Sequence, residues 1–206
     1  MGLAHLSKGN YAACFGGNTM LNAVPRGSDN PVNPSPRMAG LFGMVPIKKW
    51  PVESRLGSGV RLGKVSDGLS KTLMFAEVLT WNDVNESGES VDPSVPQGND
   101  DWRGAWMVPG MGASAFSGKT TPNSPVPDVI PACGTGLMDT AFGKTMPCRE
   151  DASSANTFAA SRSAHPGGVN AARGDGSVQF IADDIEAPVW QAMCTRRGNE
   201  AVGSGL

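Results

Sequence analysis

Charge is scarce in this chain. Only 17% of its 206 residues are Asp, Glu, Lys or Arg, and the net charge is −2. There is no basic run, which excludes the footprint of a nucleic-acid-binding protein. No apolar stretch reaches the about 18 residues that a membrane-crossing helix needs. Met1–Lys8 has no apolar core behind a basic start, so it does not read as a signal peptide. None of the four cysteines stands in a CxxC pair, which removes the usual zinc spacing. EF-hand spacing, a G-x-S-x-G nucleophile elbow and an internal repeat are all missing. Histidine is limited to His5 and His165.

Glycine and proline are abundant instead. The 27 Gly and 16 Pro make up about a fifth of the chain, well above ordinary usage yet below the disordered range. The length suits a single domain over 1–206, with loop excursions at about 22–40 and 82–150. Cys14, Cys133, Cys148 and Cys194 allow two disulfides or four buried thiols. Cys133–Cys148 is the favoured bridge, because it closes a Gly-, Thr-, Met- and Pro-rich loop that has little else to hold it. In the chain-entropy account such a closure stabilises by roughly 3 kcal/mol. Cys14–Cys194 is the possible second pair.

Asn10–Cys14 reads as a strand running into glycines, and Val60–Val65 as a short alternating stretch. Leu73–Leu79 is a nearly continuous apolar run broken by Glu77, which predicts a strand buried on both faces. Residues 82–101 are acid-rich and read as a solvated loop. Trp102–Val108 reads as a strand with aromatic anchors, and 109–150 as a long loop that must be tied down. Asp183–Cys194 reads as a helix with Asp184 as N-cap and Trp190, Met193 and Cys194 on one face.

The most informative stretch runs from His165 to Ile181. Pro166-Gly167-Gly168 permits a tight bend, Val169–Ala172 forms a strand, Gly174-Asp175-Gly176 turns, and Val178–Ile181 returns. Together with other blocks this stretch resembles a known family. The blocks are Asn10-Tyr11-Ala12-Ala13 with Gly16; Val65–Thr72, holding Asp67-Gly68, followed by Glu77; Arg103–Trp106; His165–Asn170; Gly174–Val178 with Phe180-Ile181; and Trp190 with Thr195–Glu200. Their ordered set resembles the planctomycete prepilin-like proteins that contain domain of unknown function 1559 and carry a His-x9-Asp-Gly motif. The resemblance implies a pilin-like α+β fold: an antiparallel sheet, long Gly/Pro-rich loops and a short C-terminal helix. It also implies export to the cell surface or exterior. Members of that family carry an N-terminal helix ahead of the Asn-Tyr block. The sequence here starts at the middle of a typical member, which is expected to leave an apolar sheet face to be covered either by other subunits or by the long Gly/Pro-rich excursions.

The chemistry-bearing residues have plain readings. His165, Gly167, Gly168, Asp175, Gly176, Asp67, Gly68 and Glu77 are expected to be structural. His165 locks the hairpin through Asp175 or Glu77, and the Asp-Gly pairs form turns. Glu77 needs a partner if buried, and Arg103, Arg162 and His165 are the candidates. A hydrolase would need an aligned Ser and acid beside His165, and Ser161, Ser163 and Ser177 show no supporting motif. Calcium on Asp175, Asp183 and Asp184, with Asp67, is a minor possibility. The expected function is a non-enzymatic structural subunit that assembles with other protein subunits, as a homo- or hetero-oligomer. The alternative is a binding module that uses the 82–150 loops.

Overall fold

The computed structural model describes residues 8–20, 36–43, 60–80, 101–134, 141, 143–153 and 155–198. In chain order they form β1 (Tyr11–Cys14), β2 (Leu73–Glu77), β3 (Ala115–Phe116), β4 (Asp128–Ile130), β5 (Cys148–Glu150), β6 (Gly168–Arg173), β7 (Val178–Ala182) and helix α1 (Ala187–Met193). The class is α+β. Five strands make one sheet in the order β3-β1-β2-β6-β7, antiparallel except where β3 runs beside β1. β4 and β5 form a separate parallel pair.

Side-chain alternation gives the sheet two unlike faces. Ala12, Ala76 and Ala171 lie in register across β1, β2 and β6. Leu73, Val169 and Ile181 join them in a core closed by Trp190 and Met193 of α1. The row of alanines leaves depth for the Trp190 indole, which is fully buried and stacks on Phe116 with ring centroids 6.1 Å apart. Ala13 belongs to the opposite face. There it packs with Phe15, Phe42, Met111, Ala115 and Ile130 in a second core. That second core covers the β1–β3 side and reaches β2 through Phe42, whose ring lies 5.2 Å from that of Phe75. Toward β7 the same face is open, with Phe75 36%, Tyr11 40%, Phe180 48% and Val178 71% exposed.

The hairpin of β6 and β7 shows why its glycines are there. Gly176 in the closing turn has φ +86°, a region L side chains avoid. Asp175 holds that turn, its Oδ1 accepting from the Ser177 amide at 3.0 Å and hydroxyl at 2.7 Å. At the other end a Cβ on Gly168 would lie 2.3 Å from the Ile181 carbonyl oxygen and 2.7 Å from the Phe180 ring.

Other segments differ from expectation. Trp102–Val108 is a run of turns, broken by Gly104 at φ +76°, and only Ala105 bridges, to Lys8. Leu62–Lys64 is a 3-10 turn within the stretch read as extended. Residues 109–150 contribute β3, β4 and β5, segments of two or three residues too short for a period to be read. The helix begins after Glu186 rather than Asp184, and no side chain caps it. Pro188 in its first turn suits that start. β2 is not buried on both faces throughout: on the face away from α1, Glu77 is buried but Phe75 is 36% exposed. His5, residues 22–35 and 82–100, and Asn199–Glu200 lie outside the described residues.

Candidate functional site

Two polar clusters organise the protein. The first centres on Glu77, the last residue of β2 and buried. Its backbone carbonyl turns toward residues 161–162, accepting from the Arg162 amide at 2.9 Å and the Ser161 hydroxyl at 2.8 Å. The next acceptor in the β2–β6 ladder is therefore the Glu77 side chain. Its Oε2 accepts the Asn170 amide at 2.7 Å, and its Oε1 accepts from Asn170 Nδ2 at 3.2 Å and Tyr11 OH at 3.4 Å. His165 Nε2 completes the shell 3.2 Å from Oε1. Tyr11 sits near this carboxylate, so partial burial first, then the Glu77 charge and hydrogen bond, push the phenol above its ordinary range.

Of the partners considered for Glu77, only His165 reaches the carboxylate. Arg162 offers its amide alone, and Arg103 points elsewhere. Asp175 lies at the far end of the hairpin from His165. The serines around His165 are engaged. Ser163 donates to the Gly168 carbonyl at 2.7 Å while accepting the His165 amide, and Ser161 and Ser177 donate to Glu77 and Asp175. Asp67 ties its own turn to the segment after α1: Oδ2 accepts the Gly198 amide at 2.7 Å, beside Gly68 at φ +95°.

The second cluster was not foreseen. Asp101, read as part of a solvated acidic loop, is fully buried. Arg103 grips it with Nε at 2.9 Å from Oδ1 and Nη2 at 2.6 Å from Oδ2. Arg162 grips Asp128 the same way, Nε to Oδ2 and Nη2 to Oδ1, both at 3.0 Å. Arg103 Nη1 links the pairs, 3.5 Å from Asp128 Oδ2. Spare donors go to carbonyls: Arg162 to Ser124 at 2.6 Å and Val126 at 2.9 Å, Arg103 to Met146. Two acids and two guanidinium groups balance, which is how charge survives burial. Burial tends to raise the Asp101 pKa, but the Arg103 hydrogen bonds and charge, with the Arg103 and Gly134 amides, hold it below the usual carboxylate range. Asp101 and Arg103 flank Trp102, and that spacing around an aromatic is the one signal in the sequence.

The cysteines adjoin this network. Cys133 and Cys148 form a disulfide, and Arg103 Nη2 lies 3.1 Å from the Cys148 sulfur. Cys14 and Cys194 do not pair. Both are buried free thiols, Cys14 Sγ donating to the Cys194 carbonyl at 3.5 Å. Burial, then the neighbouring Cys14, pushes the Cys194 thiol well above its ordinary range, which keeps it protonated.

Neither acid group makes a convincing metal site. Asp175 is in the hairpin turn, whereas Asp183 and Asp184 follow the opposite end of β7, a strand about 15 Å long. Asp183 accepts from Asn123 Nδ2 at 2.8 Å. Asp101, Cys133 and Cys148 offer ligand atoms within 4.8 Å of one another. The disulfide removes both thiolates, and the Arg103 cation stands between the carboxylate and a sulfur. No helix among the described residues is long and apolar enough to cross a membrane.

No curated protein and no solved structure matches the chain. The family model described as a protein of unknown function, DUF1559, matches residues 10–188, and the chain belongs to that family.

Proposed function

We propose that the protein is a non-enzymatic structural subunit of pilin or pseudopilin type, exported and working by assembly with other subunits at the cell surface. The observation that carries this is the two-faced sheet. One face is sealed by α1, while the other exposes Tyr11, Phe75, Phe180 and Val178 beside the Glu77 cluster. Apolar side chains gathered on one open face mark an interaction surface. The Cys133–Cys148 disulfide supports an oxidising compartment. The hydrogen bonds of Ser161, Ser163 and Ser177 support a positional role for the His165 motif rather than nucleophilic catalysis.

Sedimentation of the full chain at rising concentration tests the reading. Association beyond the monomer is expected, with any species above a dimer lost in the face variant Tyr11→Ser/Phe75→Ser; a monomer at every concentration would overturn it. The binding-module reading draws on Trp106 and Met107, exposed on turns anchored by Arg103. Association that falls in Trp106→Ser and ignores the face variant favours that reading.

A further inference from the structure

The two edges of the main sheet differ in a way that selects a partner. β3 is two residues long with both side chains fully buried. Its outward backbone groups are occupied: Ala115 donates to Gly110, Gly112 donates to Ala115, and Ser117 donates to Ala159. That edge is closed.

β7 is open. Arg173 donates to Ser177 at 2.8 Å and Asp183 to Gly167 at 3.0 Å, which fixes the ladder phase: residues 177, 179, 181 and 183 face β6. Val178, Phe180 and Ala182 therefore aim their N–H and C=O groups outward, the Ala182 C=O also accepting the Ile185 amide at 3.2 Å. Among the described residues, no backbone partner meets the N–H groups of Val178 or Phe180. The side chains of these two residues are among the most exposed apolar groups present. The strand reads Val-Gln-Phe-Ile-Ala, without the Lys, Pro or charge that ordinarily guards an edge.

We propose that β7 pairs antiparallel with β7 of a second copy of this chain, joining two sheets across a two-fold axis. An uncharged strand meets no repulsion from its own copy, and antiparallel self-pairing satisfies the outward groups of both. With β3 closed, the open edge of the main sheet that a second copy offers among the described residues is its own β7, so the contact closes as a dimer. Centred on Phe180, the pairing sets Phe180 against Phe180 and Val178 against Ala182, all on the open face, and the two apolar strips become continuous. The inference rests on the assembly reading above and names one of its contacts.

Proline at position 178 tests it. The Val178 N–H points away from β6, so Val178→Pro removes an outward donor without taking a bond from the β6–β7 ladder. Sedimentation equilibrium of the full chain is expected to show a dimer. Val178→Pro should weaken it about tenfold or more, the loss expected when outward backbone hydrogen bonds at the junction cannot form. Phe180→Lys, which keeps every ladder bond and places like charges across the axis, should do the same, with circular dichroism unchanged in both. Phe75→Ser, on a central strand, should leave the dimer intact. Association that survives Val178→Pro and Phe180→Lys but falls in Phe75→Ser overturns the edge pairing and keeps the assembly reading. A wild-type chain that stays monomeric overturns both.

Discussion

The Glu77 carboxylate takes the place of its own backbone carbonyl toward Asn170, accepting that amide at 2.7 Å while the carbonyl is spent on Arg162. A side chain thus completes a rung of the sheet. Glu77→Ala leaves the Asn170 N–H without its acceptor and is expected to cost about 1–3 kcal/mol, read as a fall in the denaturant midpoint. Glu77→Gln keeps an acceptor and should cost less.

The same cluster has a spectroscopic reporter. Tyr11 is the single tyrosine in the chain, so tyrosinate absorbance reports one phenol. It should ionise above the ordinary tyrosine value of about 10. Glu77→Gln removes the charge and should bring the titration back down, although not fully, because partial burial is the larger cause.

The buried ion network should tolerate no half-removal. Asp128→Ala strands the Arg162 guanidinium, and Arg162→Ala strands Asp128, each inside a closed interior. The expected cost is about 3–5 kcal/mol. Thermal unfolding of either variant beside an exposed-site control such as Lys71→Ala checks this.

Acid should act through Asp101. Its folded pKa lies below the unfolded value, so its contribution is complete above about pH 4 and is lost as pH falls through the lowered folded pKa. Stability is expected to decline in that acid window, and Asp101→Asn should flatten the decline. An unchanged pH slope in the variant would count against the Arg103 pairing.

Reduction should loosen the 101–150 region. Cys133 and Cys148 are 15 residues apart in sequence, and opening the loop is expected to cost about 3 kcal/mol in the chain-entropy account. The Cys133→Ser/Cys148→Ser variant, compared with wild type before and after reductant, measures it. Cys14 and Cys194 should resist alkylation until the chain unfolds.

The hairpin, β1, β2 and the C-terminal helix were legible because each carries a local signal: turn glycines at 167 and 176, an apolar run around Glu77, and helical spacing of Trp190 and Met193. The disulfide was legible because a Gly/Pro-rich loop needs a tie. The Asp101–Arg103–Asp128–Arg162 network was not, because its members span some sixty residues and charged residues are ordinarily read as solvated. β3, β4 and β5 escaped for a related reason. They take their place from partners far along the chain, as Ala13 does for Ala115 and Cys148 for Asp128.

The packing of α1 over the alanine row also sets an order of events. Ala12 and the indole that covers its face, Trp190, share one core although they are far apart in sequence. The Cys14 thiol meets the carbonyl of a residue 180 positions later. Contacts this distant in sequence are slow to form. The core face of β1 is not covered until α1 packs on it, so that face stays exposed for as long as the contact is unmade.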